Sequence, residues 1–450
     1  MALFTLSGLK GSISNFFGVR DLSEFGKTIQ SGDYIYHVFL GPVGPTDSSF
    51  KSYTLDLTGI SAASFPMPVA FLYVGGGGHG GMPGWTPSSN PEPGAYDSFT
   101  GLNVGGGGGG GAGQILYSDS EFINSPGLYP IRVGGSNEPS IGISSVGAAL
   151  TAYAGGVGGV GIPDFMGEYN YPPTHPNPDK GPYYPPSGTV DPNWTSFGFP
   201  TPGPPNFRTT SYRNLWGSRN HYPGGIPPSG WGHGAPGGSG GGAGANEQAR
   251  PQPPTWGYRS NPDYYSSGGN RLVPGGRLPA NTGAWGNPGG RARVEEPASY
   301  SNQYGGGGGG AGGAGEDAHL SITDDYFPER ADAGHGGPGQ PFPIFAAPII
   351  APAIPSTYRT SWSNIVGASG LYGGGGSGSQ LNVSDPESPD TRAPGGGGYG
   401  GTYGDPQPDS TMNGFRWTGG GGAACPYANP RPDNEPGDGG SGIIIIRRPA

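Results

Sequence analysis

The chain has 450 residues, 97 of them glycine and 53 proline, and a formal charge of −10 spread thinly along its length. Without clustered Lys and Arg it is not a nucleic-acid binder, because counterion release needs such clusters. No apolar segment approaches the roughly 18 residues of a membrane span, so no membrane insertion is expected. The single cysteine, Cys425, excludes an intrachain disulfide and reads as a small buried hydrophobe. The start, Met1-Ala-Leu-Phe-Thr-Leu, lacks a cationic leader, and Lys10 breaks its apolar stretch. The chain is therefore expected to be made in a cytoplasm and delivered by assembly or lysis.

Residues 1–68 contain no glycine run and carry two strand signals. Residues 33–40 (Asp-Tyr-Ile-Tyr-His-Val-Phe-Leu) are aromatic and β-branched, and residues 52–58 (Ser-Tyr-Thr-Leu-Asp-Leu-Thr) alternate apolar with polar. The Gly/Pro-rich stretch 41–46 between them reads as a turn. This region is expected to be a small β-rich module with Phe16, Phe17 and Phe25 in its core or on a docking surface. Beyond it, short apolar strands border the glycine-rich part: 71–74, 114–117, 128–133, 152–154 and, at the far end, the four isoleucines 443–446. They are expected to clamp or cap it.

Ten glycine runs recur, at 75–81, 105–113, 155–161, 237–244, 305–315, 334–339, 373–378, 395–401, 419–422 and 439–442. Such a run has no side chains to bury and loses more backbone entropy on ordering than any other sequence. It either stays disordered or orders by backbone packing against its fellows. A 32% hydrophobic fraction, a charged fraction of only 12% and similar run lengths between dissimilar loops favour order. An extended helix of three residues per turn has no internal hydrogen bonds, so its N–H and C=O groups point outward. Neighbouring glycine rods can pair those groups, as buried backbone must be paired. The expected fold is mainly irregular and β: the β-rich module over 1–68, then a stack of polyglycine II helices over 69–450 joined by long loops.

The largest loops, 162–236 and 245–304, hold five of the eight tryptophans and half the arginines. Successive antiparallel rods would send these two loops out of opposite ends, unless 286–290 forms a further rod. Their aromatics read either as staples that replace the missing apolar core or as a contact surface of rigid rings among adaptable polar groups. The candidate receptor-binding residues are Tyr183, Tyr184, Trp194, Trp216, Trp231, Trp256, Tyr264, Tyr265 and Trp285.

Four segments together resemble the glycine-rich domain of tailed-phage tail-fibre and tail-tip proteins. They are Phe71-Leu-Tyr-Val-Gly-Gly-Gly-Gly78, the run 105–113 with its Gly-Ala-Gly ending, Tyr129-Pro-Ile-Arg-Val-Gly-Gly135 and Gly439-Gly-Ser-Gly-Ile-Ile-Ile-Ile-Arg447. The resemblance covers about 69–448. It implies a sandwich of polyglycine II helices whose distal loops bind a host surface receptor. The expected protein is a virion surface component, assembled in the host cytoplasm. It would bind a host glycan or outer-membrane protein through its loops and other virion proteins through residues 1–68, with a homotrimer as one expected assembly. The alternative is a purely structural appendage, in a capsid fibre, neck or tail, whose loops bind sister subunits.

Catalytic and cofactor signatures are missing. Gly26-Lys27-Thr28 has Asp21 where a phosphate-binding loop needs its first glycine. The seven histidines show no zinc spacing. The adjacent pairs Glu295-Glu296 and Asp324-Asp325 do not make a glycosidase pair. No enzymatic activity, cofactor or metal is expected. His79 and His335 interrupt glycine runs, as outward polar side chains or as a metal bridge between rods.

Overall fold

The computed structural model describes residues 26–43, 50–81, 106–143, 149–159, 238–242, 244, 272–273, 276–277, 283–294, 303–321, 330–379, 393–399, 409–425 and 436–450. Phe16, Phe17 and Phe25 lie outside the described residues.

Strand β1 (Lys27–Ser31) and strand β2 (Tyr34–Leu40) form a hairpin across Gly32, whose φ is +58°. Strand β3 (Phe50–Asp56) keeps the alternation seen in sequence, with Tyr53 and Leu55 buried and Ser52 and Asp56 exposed. Then follow β4 (Met67–Val74), β5 (Ile115–Ile123), β6 (Leu128–Gly134), β7 (Ser140–Ile143), β8 (Ala149–Ala152), β9 (Gly283–Trp285) and β10 (Ile443–Pro449). They make two antiparallel sheets, of order β1-β2-β10-β4-β5-β9 and β3-β6-β7-β8.

The strands before and after residue 68 share these sheets. The boundary expected there falls within β4, and β3 pairs along its whole length with β6. The physical reason is burial. β2 pairs with β1 on one edge, but its other edge pairs with β10, and β3 pairs with β6, so the cover of both comes largely from further along the chain. β2 and β3, expected as neighbours across a turn, lie in different sheets.

The first sheet is buried on both faces. Ile444 and Ile446 join Phe39, Tyr53, Leu55, Ile131, Val133 and Leu150 between the sheets. Ile443 and Ile445 point the other way, into a cluster with Phe345, Ile350, Ile354, Trp362, Val366 and Trp417. This is why four consecutive isoleucines suit β10: a strand covered on both faces has no solvent side to alternate toward. Each fully buried isoleucine contributes roughly 1.5–3 kcal/mol.

The second cover is helical. Helix α1 (Ser356–Val366) follows Pro355 and stops at Gly367, whose φ of +63° few other residues adopt. Tyr358, Trp362 and Val366 stand four apart and face inward; Trp362 and Val366 are fully buried. Trp417 ties the layers together. Its indole Nε1 donates to Gly41 O at 2.9 Å, and its backbone N donates to Ser441 Oγ at 3.2 Å.

His37, on β2, is held neutral. Arg448 Nε donates to its Nε2 at 3.2 Å, and Thr28 Oγ1 lies 3.4 Å from its Nδ1. Burial first, and the Arg448 charge second, lower its pKa from 6.5 to about 4. Above pH 6.5 both folded and unfolded chains carry it neutral. Below that the unfolded chain takes a proton that the folded chain refuses, so stability falls from about pH 6.5 down to about 4. The loss is at most about 3 kcal/mol. Thermal melts of the wild type and His37→Gln between pH 7 and 4.5 check this, with the wild type expected to lose more stability on acidification than the variant.

Candidate functional site: a hydrogen-bonded glycine array

The sheets continue directly into the glycine runs without a change of register. β4 pairs Val74 with Ile115, and the next residues follow suit: Gly75, Gly78 and Gly81 donate to Gln114 O, Gly111 O and Gly108 O at 3.0, 2.8 and 2.7 Å. Ile443 pairs with Val74, and Gly77 and Gly80 donate to Gly440 O and Gly437 O. Partners recur every third residue.

The run 106–113, with Gln114, lies at the centre. Its N–H groups serve three other runs in turn. Gly108, Gly111 and Gln114 donate to Gly159, Gly156 and Tyr153; Gly109 and Ala112 to Gly306 and Gly309; Gly110 and Gly113 to Gly422 and Gly419. Its carbonyls accept from three more. Gly108, Gly111 and Gln114 accept from 75–81, Gly109 and Ala112 from Gly242 and Ser239, and Gly107 and Gly110 from Ser379 and Gly376. These bonds span 2.7–3.0 Å, good N–H···O distances.

The same closeness excludes side chains. A Cβ on Gly109, Gly110 or Gly111 would lie 2.0, 2.2 or 2.3 Å from a carbonyl oxygen of a different run, those of Gly376, Gly78 and Ser239. The tolerated exceptions are small or take part in the bonding. Ala112 and Ala311 are buried within runs, and Asn287 Nδ2 donates to Gly310 O and Ala311 O, both at 2.9 Å. The stretch 286–290 belongs to the array as well, since Gly290 N donates to Gly307 O and Asn287 O accepts from Gly240 N.

The two ends of the array differ. Gln114 abuts the sheet, and Gly107 and Gly108 mark the opposite end. Gly81 and Gly159, both bonded to Gly108, immediately precede 82–105 and 160–237. Gly242, bonded to Gly109, leads toward 245–271, and Ser379, bonded to Gly107, precedes 380–392. Cys425 N donates to Gly81 O just before 426–435. All five segments are entered from the end far from the sheet; 82–105 and 426–435 also return there, whereas 160–237 returns at Gly238, which donates to Ala154 O beside the sheet, and 380–392 returns near Gly395, bonded to Gly374 at the sheet end. The runs 153–159 and 238–242 are parallel, because Gly156 and Gly159 donate to Ser239 and Gly242. Both large loops thus begin at the same end, and the antiparallel alternation that would separate them does not occur at this pair.

Of the candidate receptor-binding residues, Tyr183, Tyr184, Trp194, Trp216, Trp231, Trp256, Tyr264 and Tyr265 lie outside the described residues. Trp285 is on β9, half-buried, with its ring edge-on to Tyr117 and Phe342 at centroid distances of 6.0 and 5.3 Å. It acts as a staple between the edge of the first sheet and the helical cover, at the sheet end of the array.

His79 does not point freely outward. Its Nδ1 lies 2.9 Å from Asp438 Oδ1 and 3.4 Å from Ser136 Oγ. The imidazole therefore links the first glycine run to the last. A serine and an aspartate on the same ring nitrogen cannot act as nucleophile and orienter, which need opposite nitrogens. Among the described residues no group of three or more His, Cys, Asp and Glu side chains is placed to hold a metal ion, and no helix is long and apolar enough to cross a membrane. The thiol of Cys425 is buried beside Met412 and Ala423, and burial pushes its pKa up to about 12.

No family model, no curated protein and no solved structure matches this chain.

Two outcomes are expected. Gly110→Ala costs at least about 3 kcal/mol or abolishes folding, whereas Gly59→Ala, with no atom within 4 Å of the new methyl, stays within about 0.5 kcal/mol; chemical denaturation of the two variants measures both. Cys425 is inert to an aromatic disulfide reagent at pH 8 in the native protein and reacts fully in denaturant, which a spectrophotometric thiol titration reads directly.

Proposed function

We propose that this chain is a virion surface protein of a tailed phage, a tail-fibre tip or receptor-binding adhesin that presents loops on a rigid platform of polyglycine II helices. The carrying observation is the polarity of the array. The segments 82–105, 160–237, 245–271, 380–392 and 426–435 are all entered from the end far from the packed sheets, and 82–105 and 426–435 both leave and return there. The third-residue recurrence of partners supports the polyglycine II reading, because three residues make one turn of that helix. A seven-residue run would then span roughly 22 Å.

In this reading, residues 1–68 join the protein to the particle. Their described strands, β1, β2, β3 and the start of β4, belong to the two sheets, at the end of the array away from Gly107 and Gly108. The loops bind a host surface glycan or outer-membrane protein, with no chemical step. Several copies on one particle raise avidity without new contacts.

Immunogold labelling of native particles, with antibody against a peptide from 162–236, tests the assignment. Gold at the distal ends of tail fibres is expected. Gold on the capsid or along the tail would favour a structural appendage instead. Labelling only after particle disruption would mean the loop is buried between subunits, and the receptor-binding role would fall.

A further inference from the structure

Strand β10 follows every other described element in the chain, yet it is an inner strand of the six-stranded sheet. It pairs along seven residues with β2 and along five with β4. β2 and β4 are not neighbours in the sheet and meet only through it. The residues just before it play the same part in the glycine array. Gly437, Gly440 and Gly442 donate to Ala423 O, Gly420 O and Gly134 O, and Gly437 and Gly440 accept from Gly80 and Gly77. Ser441 O accepts from Gly419 N, and its hydroxyl accepts from Trp417 N.

Without this segment, two inner sheet edges lie open. Each core cluster loses two isoleucines. The N–H groups of Gly77 and Gly80 lose their backbone acceptors, Gly440 O and Gly437 O. Partial assemblies of the other elements therefore lack part of the apolar burial and backbone pairing of the folded chain.

We infer that residues 437–449 are a closing latch, and that their insertion between β2 and β4 commits the sheet and the glycine array to the folded state together.

Pulse-labelled hydrogen exchange during refolding of the full chain tests this. Amides in 70–74, 108–114 and 443–447 are expected to gain protection in one kinetic phase. Protection of 70–74 and 108–114 in an earlier phase, with 443–447 still open, would overturn the latch. A second measurement uses Ile445→Val, which removes one methyl group from the latch. Refolding is expected to slow roughly two- to ten-fold with the unfolding rate unchanged. Faster unfolding with unchanged refolding would overturn it, and so would a refolding rate that rises with protein concentration, which would mean that the strand comes from a second copy.

Discussion

The glycine array depends on one constraint: buried backbone donors and acceptors must be paired, and here there is almost nothing but backbone to pair them. Around 106–113, the N–H groups of residues 108–113 and the carbonyls of residues 107–112 find their partners in other runs, with six runs taking part. That arrangement needs runs close enough to bond in every lateral direction, which leaves no room for a Cβ at Gly109, Gly110 or Gly111. Glycine is thus a requirement of the hydrogen bonding. Conventional apolar burial is confined largely to the sheets and the helical cover, where β10 and α1 carry much of it.

Labour is divided accordingly. The cap supplies hydrophobic stabilisation and a starting register; the array supplies a rigid body through paired backbone groups. His79 and Asp438 add a polar tie between the first and last runs, and Asn287 shows how a side-chain amide can stand in for a backbone donor when a run is interrupted.

Much of the strand content was legible in the sequence, because period-two alternation at 52–56 and doubly buried isoleucines at 443–446 are strong signals. The pairing was not. Nothing in residues 33–40 says that their neighbour stands some 400 residues away, since local pattern encodes which face is buried and not what buries it. Helix α1 carries its signal in Tyr358, Trp362 and Val366, four apart, although the surrounding prolines and short apolar pieces obscure it. The bonding at 286–290 is faint in sequence because Asn287 and Pro288 interrupt the glycines, and the Asn287 side chain becomes intelligible only with its two carbonyl acceptors in place. Trp285 looked no different from the loop tryptophans; its contacts with Tyr117 and Phe342 depend on β9 joining the edge of a distant strand.

The unbroken passage from strand to glycine run bears on how such a chain can change over time. Where β4 becomes 75–81, partners repeat with a period of three, so one inserted residue would turn each N–H from its own partner toward a different run, all the way along. The junctions between strand and run therefore tolerate no change in length. The segments entered from the far end meet no such counting rule, and residues gained or lost there leave the phase of every run untouched. Changes of length are therefore confined to those segments, while the junctions stay fixed to the residue.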